Sequence, residues 1–212
     1  MNIVLQVPEA ATRKLNFAEP VAIFLLIESY IWILRPAHRL FWIPILGFIL
    51  LSHFARSERP HALGFQAANL RDCLSRYAPL VGFLGLTGVA AGLLCQTTRS
   101  IDFRQGTLAL AAYIPWGVFQ QYMLNGYFLK RFDAVLSQRT APVLSAALFS
   151  GAHTPNWFLM AVTLLGGYAA TQLYRRYHNI YFLGLAHAVF GFVLYLVIPD
   201  SISHHLNVGP GY

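Results

Sequence analysis

Seven apolar stretches divide this chain: Phe17 to Leu34, Leu40 to Phe54, Ala78 to Cys95, Thr107 to Leu129, Ala141 to Ala152, Asn156 to Tyr174 and Ile180 to Ile198. Most approach the ~20 residues that cross the hydrocarbon of a bilayer. A soluble domain carries roughly 25% charged residues. Here 57% of residues are hydrophobic and 11% charged, too few to keep the whole surface wet. The expected fold is an all-α polytopic transmembrane bundle, a single membrane domain over 1–212 with about seven spans. The second and fifth stretches are short, and their length leaves open whether they cross fully.

If all seven cross, the fifteen Lys and Arg residues divide unevenly. Eleven, among them Arg13, Lys14, Arg56, Lys130, Arg131, Arg175 and Arg176, fall on the side of the N-terminus, and only Arg35, Arg39, Arg99 and Arg104 on the other. That bias predicts residues 1–16 as a cytoplasmic tail and the C-terminus outside. It also accounts for the formal charge of +7 through topology and anionic lipid headgroups, so no nucleic-acid partner is called for. The first span lacks a small-x-small cleavage site and reads as an uncleaved anchor. Cys73 and Cys95 bracket the third span, roughly 30 Å apart at ~1.5 Å per residue, too far for a disulfide. No spacing of Cys, His or acid suggests a metal site or another cofactor.

Between the second and third spans, Leu63, Ala67, Leu70, Leu74 and Tyr77 recur at alternating four and three. The spacing predicts an interfacial amphipathic helix over 62–77, read as a connector lying on the membrane. Gly85, Gly88 and Gly92 give the third span a face of small residues against which another helix can pack closely. The uncharged connection Thr154-Pro155-Asn156 suits irregular backbone buried at membrane depth.

Polar side chains within spans usually mark working sites. Gln121 and Asn125 lie four apart on one helical face, with Gly117 one turn earlier and Gln120 about 100° round. His187 is flanked by Gly184 and Gly191, and His153 follows Phe149 by four just before Pro155. Three helices can therefore aim polar groups at one point.

The ordered trio Gln120-Gln121-x-x-x-Asn125, Phe149-x-x-x-His153 and His187-x-x-x-Gly191 resembles the membrane-embedded CAAX prenyl endopeptidase and bacteriocin-processing family, the type II CAAX proteases. That family carries Glu-Glu-x-x-x-Arg, Phe-x-x-x-His and His-x-x-x-Asn or Asp. The resemblance implies a core over 107–198 around a cavity open toward the cytoplasm, and hydrolysis of hydrophobic or prenylated peptides within the lipid membrane. By position it gives His153 the attacking water, His187 the oxyanion and Gln120 the place of the catalytic glutamate. Gln121, Asn125 and Asn156 are the candidate substrate contacts.

Both glutamates and the arginine are absent, and Gly191 has no side chain to offer. An amide orients water but cannot accept its proton, and losing a positioned base typically costs ~10² to 10⁴ in rate. The second Glu and the Arg are neutralised together, as Gln121 and Asn125, which can still share a hydrogen bond at that spacing. Breaking only half of a buried ion pair would cost ~3–5 kcal/mol, so the joint replacement points to a coherent neutral site. Two readings stay open for the glutamines: interhelical hydrogen bonds that fix packing, or a substrate-facing role. For the chain, an endopeptidase stands beside a pseudo-protease that binds peptide or lipid as chaperone, immunity factor or regulator. A small transporter or lipid-modifying enzyme is the third reading, with Glu28 the residue to watch.

Overall fold

The structure, a computed structural model, describes residues 9–211. Where seven spans were expected, seven helices of twelve or more residues stand. They are α1 (Glu9–Ser29, extended by a π turn, Tyr30–Leu34), α2 (Trp42–Ala55), α3 (Leu70–Leu94), α4 (Phe103–Gln121), α6 (Thr140–Gly151), α7 (Trp157–Tyr177) and α8 (Ile180–Val197). α4 runs on through a π-helical stretch, Tyr122–Leu129, into the short α5 (Lys130–Asp133), and a last short helix, α9 (Asp200–Ser203), follows α8. Among the described residues there is no strand.

Three helical runs, Arg13–Leu34, Leu70–Leu94 and Ile180–Val197, are long and apolar enough to cross a membrane. Only 11% to 33% of their apolar windows is buried inside the protein, so most of that apolar surface faces outward. Large side chains such as Leu94, Phe54, Leu165 and Leu86 are exposed. Patches of this extent suit lipid and not water. The chain is a helical membrane protein.

Residues 1–8 of the expected tail lie outside the described residues, and 9–16 are helical, the first turns of α1. One expectation needs correction. The separate interfacial helix over 62–77 is not formed. Pro60–Leu63 make one 3₁₀ turn, and Leu70 begins a helix that continues unbroken to Leu94, with Pro79 inside it. Leu63, Leu70, Leu74 and Tyr77 pack against the protein core, so that stripe is satisfied by neighbouring helices. Periodicity reports that a face is buried, not what buries it.

The position of α8 decides where the site lies, because α8 packs along both α3 and α4. The glycine face of α3 admits it: a Cβ on Gly92 would lie 2.7 Å from Val197 Cβ, and one on Gly88 3.0 Å from Val193 Cγ1. At the start of α8, Asn179 accepts from the Phe182 N–H (2.8 Å) and donates to Gln66 O (2.9 Å) and Asn69 Oδ1 (2.7 Å). Asn69 in turn donates to Tyr177 O (2.5 Å) and Gln66 to His178 O. His178 is half-buried, its Nε2 3.2 Å from Ala62 O. At the far end, the Arg99 guanidinium donates to Tyr195 O (2.5 Å), Ile198 O (3.0 Å) and both Asp200 oxygens (2.7 and 2.5 Å). A cation on the last carbonyls completes the helix terminus. With both ends pinned, His187 two turns into α8 has a fixed position.

Candidate active site

α4 and α8 cross at a pair of glycines. A Cβ on Gly117 would lie 2.5 Å from Gly184 O, and one on Gly184 2.6 Å from Val118 Cα, so the backbones touch and neither position tolerates a side chain without parting the helices. One turn beyond that crossing on α4 stands Gln121, and next to it on α8 stands His187. Gln121 Nε2 is 3.2 Å from His187 Nδ1, and Asn125 Nδ2 donates to Gln121 Oε1 at 2.9 Å. Gln121 is 3% exposed and Asn125 0%, so these bonds form away from competing water. The amide pair inferred from the four-residue spacing is thus formed, and it extends to the histidine.

Those contacts set the imidazole tautomers. An amide nitrogen can only donate, so His187 Nδ1 accepts, and the neutral ring carries its proton on Nε2. His153 is arranged the opposite way. Its Nδ1 lies 2.7 Å from Phe149 O, a carbonyl that can only accept, so Nδ1 holds the proton and Nε2 is left as a lone pair. The Phe149 ring neighbours both, its centroid 5.1 Å from His153 and 6.2 Å from His187. Among the described residues neither Nε2 atom has a hydrogen-bond partner. One base nitrogen and one N–H donor flank a single aromatic ring.

The other expected site residues divide. Gln120 has a buried Oε1 with no partner among the described residues, while Asn125 Oδ1 is likewise unpaired. Asn156 is fully committed elsewhere: its Oδ1 accepts from the Leu159 N–H (3.1 Å) at the start of α7, and its Nδ2 donates to Ser203 O (2.9 Å) and Asn207 O (3.1 Å). None of its bonds runs to α4 or α8. Glu28 does reach the motif: its Oε2 accepts from Trp32 Nε1 (3.2 Å) and from Thr154 Oγ1 (3.4 Å), next to His153, and its Oε1 is buried without a partner among the described residues.

Sequence reading missed a second polar assembly. Arg131, counted there only as topological charge on the side of the N-terminus, is 2% exposed and spans two carboxylates. It grips Glu58 with two nitrogens (3.0 and 2.9 Å) and places Nε 3.3 Å from Glu19 Oε1. Glu19 also accepts from Ser52 Oγ (2.5 Å), Tyr127 Oη (3.0 Å) and Arg56 Nη2 (2.6 Å). His53 Nδ1 donates to Glu58 Oε2 at 2.6 Å. Burial would raise the Glu58 carboxyl, but hydrogen bonds from Arg131 and His53, then the Arg131 and Lys130 charges, hold it below the usual range. This network ties α1, α2 and the loop after it to the end of the π-helical stretch. All eight residues of that stretch are buried, and it immediately follows Gln121, a placement π segments favour beside functional sites.

Fold and site together define a helical membrane protein with an uncharged amide and imidazole cluster between α4, α6 and α8. Residues 104–193, which run from the start of α4 through most of α8, match the Rce1-like family model, described as type II CAAX prenyl endopeptidase Rce1-like. The match spans a little under half of the chain and includes the positions of all three motifs, so this stretch is similar to that family. None of the curated proteins and none of the solved structures compared matches the chain.

Proposed function

We propose that this protein is a membrane endopeptidase of the CAAX-protease type acting on hydrophobic or prenylated peptides, with its N-terminus in the cytoplasm of a bacterial cell. The observation that carries the reading is the opposed pair of tautomers, a lone pair on His153 Nε2 and an N–H on His187 Nε2. In hydrolysis, water bound at His153 attacks the scissile carbonyl carbon while His153 takes one of its protons. The carbonyl oxygen becomes an oxyanion facing the His187 N–H. As the tetrahedral centre collapses and the C–N bond breaks, His153 returns that proton to the leaving amine. Gln120 orients the water and takes no proton. Gln121 and Asn125 act through His187, keeping Nδ1 as acceptor.

Cleavage of a farnesylated Cys-aliphatic-aliphatic-X tetrapeptide in proteoliposomes tests this. His153→Ala is expected to lower kcat by about 10² to 10⁴, and Gln120→Glu to raise it by adding a second base. A second reading, favoured by the missing carboxylate on α4, is a binder on an enzyme scaffold. Activity that arises only in Gln120→Glu, with none in the natural protein, would select it.

A further inference from the structure

The site described so far uses nothing at Gly191, one turn beyond His187, yet the space beside that glycine is filled. A Cβ on Gly191 would stand 2.5 Å from Tyr113 Cε1 and 3.0 Å from the Tyr113 hydroxyl oxygen. The phenol of Tyr113 therefore occupies the volume that a side chain at 191 would take. Tyr113, Gly117 and Gln121 recur at four-residue spacing, which puts them on one face of α4. The Gly117 and Gly184 contact turns that face to α8.

The Tyr113 ring lies 6.2 Å from the His187 ring, inclined by 33°. No residue described in the structure hydrogen-bonds its hydroxyl. A phenol held in an apolar setting normally finds a partner, because an unpaired hydroxyl there loses its hydration without return. Gly191 gives the ring its room, and His187 stands beside it with the other unused donor.

We propose that Tyr113 is the second hydrogen-bond donor of the site, its O–H joining the His187 Nε2–H in holding the carbonyl oxygen of a bound peptide. The donor comes from α4, and Gly191 is the complementary gap on α8. This rests on the endopeptidase reading, which supplies the peptide carbonyl. The N–H and O–H donate to a carbonyl oxygen whose charge grows as water attacks, so the phenol contributes chiefly in the transition state.

The test uses the full chain in proteoliposomes with the farnesylated tetrapeptide. Tyr113→Phe keeps the ring that fills the Gly191 gap and removes only the hydroxyl, and it is expected to lower kcat about 10²-fold with KM little changed. Gly191→Asn in the Tyr113→Ala background is expected to recover kcat at least about tenfold over Tyr113→Ala alone, by returning a donor to the same space. Tyr113→Phe with natural kcat overturns the assignment. Failure of the natural protein to cleave at all overturns the endopeptidase reading instead. Equilibrium binding of a farnesylated tetrapeptide carrying a phosphinate in place of the scissile amide, whose anionic oxygen stands where the oxyanion would, then decides on Tyr113: at least about fivefold weaker binding by Tyr113→Phe supports the donor, and equal affinity removes it.

Discussion

Arg131→Ala will lower the stability of the folded protein by about 3–5 kcal/mol, the cost of removing one partner from a buried charge network. The side chain is 2% exposed and lies against Glu58 at 2.9 Å and Glu19 at 3.3 Å, so its loss removes the cation between two carboxylates held from bulk water. Arg56 and Lys130 remain, at 2.6 Å from Glu19 and 3.7 Å from Glu58, but Arg56 reaches only Glu19 and Lys130 only Glu58. Thermal unfolding in detergent micelles reads the effect. Arg131→Met combined with Glu58→Gln, which leaves Glu19 paired with Arg56 at 2.6 Å, is expected to recover most of the loss. A single alanine variant as stable as the natural protein would mean the network carries no stability.

Gly184→Leu will abolish the site while leaving the helices formed. A Cβ at Gly184 already falls 2.6 Å from Val118 Cα, a backbone atom that cannot rotate aside, and three further carbons must follow it. Overpacking of this kind typically costs about 1–3 kcal/mol. The functional consequence is larger than that figure, because α4 and α8 can relieve the clash only by separating. The Gln121 to His187 hydrogen bond, 3.2 Å in the native packing, is then lost. Peptide cleavage is expected to fall to the level of His153→Ala with far-ultraviolet circular dichroism unchanged. Gly166→Ala, where an added Cβ meets nothing within 4 Å, is the control expected to behave as the natural protein.

These contrasts show which parts of the molecule were legible in its residues. Hydropathy located the seven longer helices because each is built largely from apolar residues, and three of them are long and apolar enough to cross a membrane. The Gln121 and Asn125 bond followed from a four-residue spacing, and the glycines of α3 from their shared face. The ion network was hidden because Glu19, Ser52, His53, Glu58 and Arg131 come from separate segments, and an arginine at a span end reads equally well as topological charge. The one signal available was Glu19 itself, a carboxylate inside an apolar stretch that had to find a cation. Asn156 reads two ways for a related reason: an asparagine before a helix is as good a cap as a substrate contact, and the cap is what the structure shows formed. The Tyr113 and Gly191 exchange was visible only as a loss at 191, because sequence does not say which distant ring fills a gap.

The central claim is that two neutral imidazoles present opposite faces to one substrate. Nitrogen-15 magnetic resonance of the full-length protein, with His153 and His187 assigned by single replacement, tests it most directly. The account predicts His153 with its proton on Nδ1 and His187 with its proton on Nε2, and it predicts that Gln121→Leu disturbs the second and spares the first. Two rings in the same tautomer, or a His187 that does not respond to loss of Gln121, would contradict it.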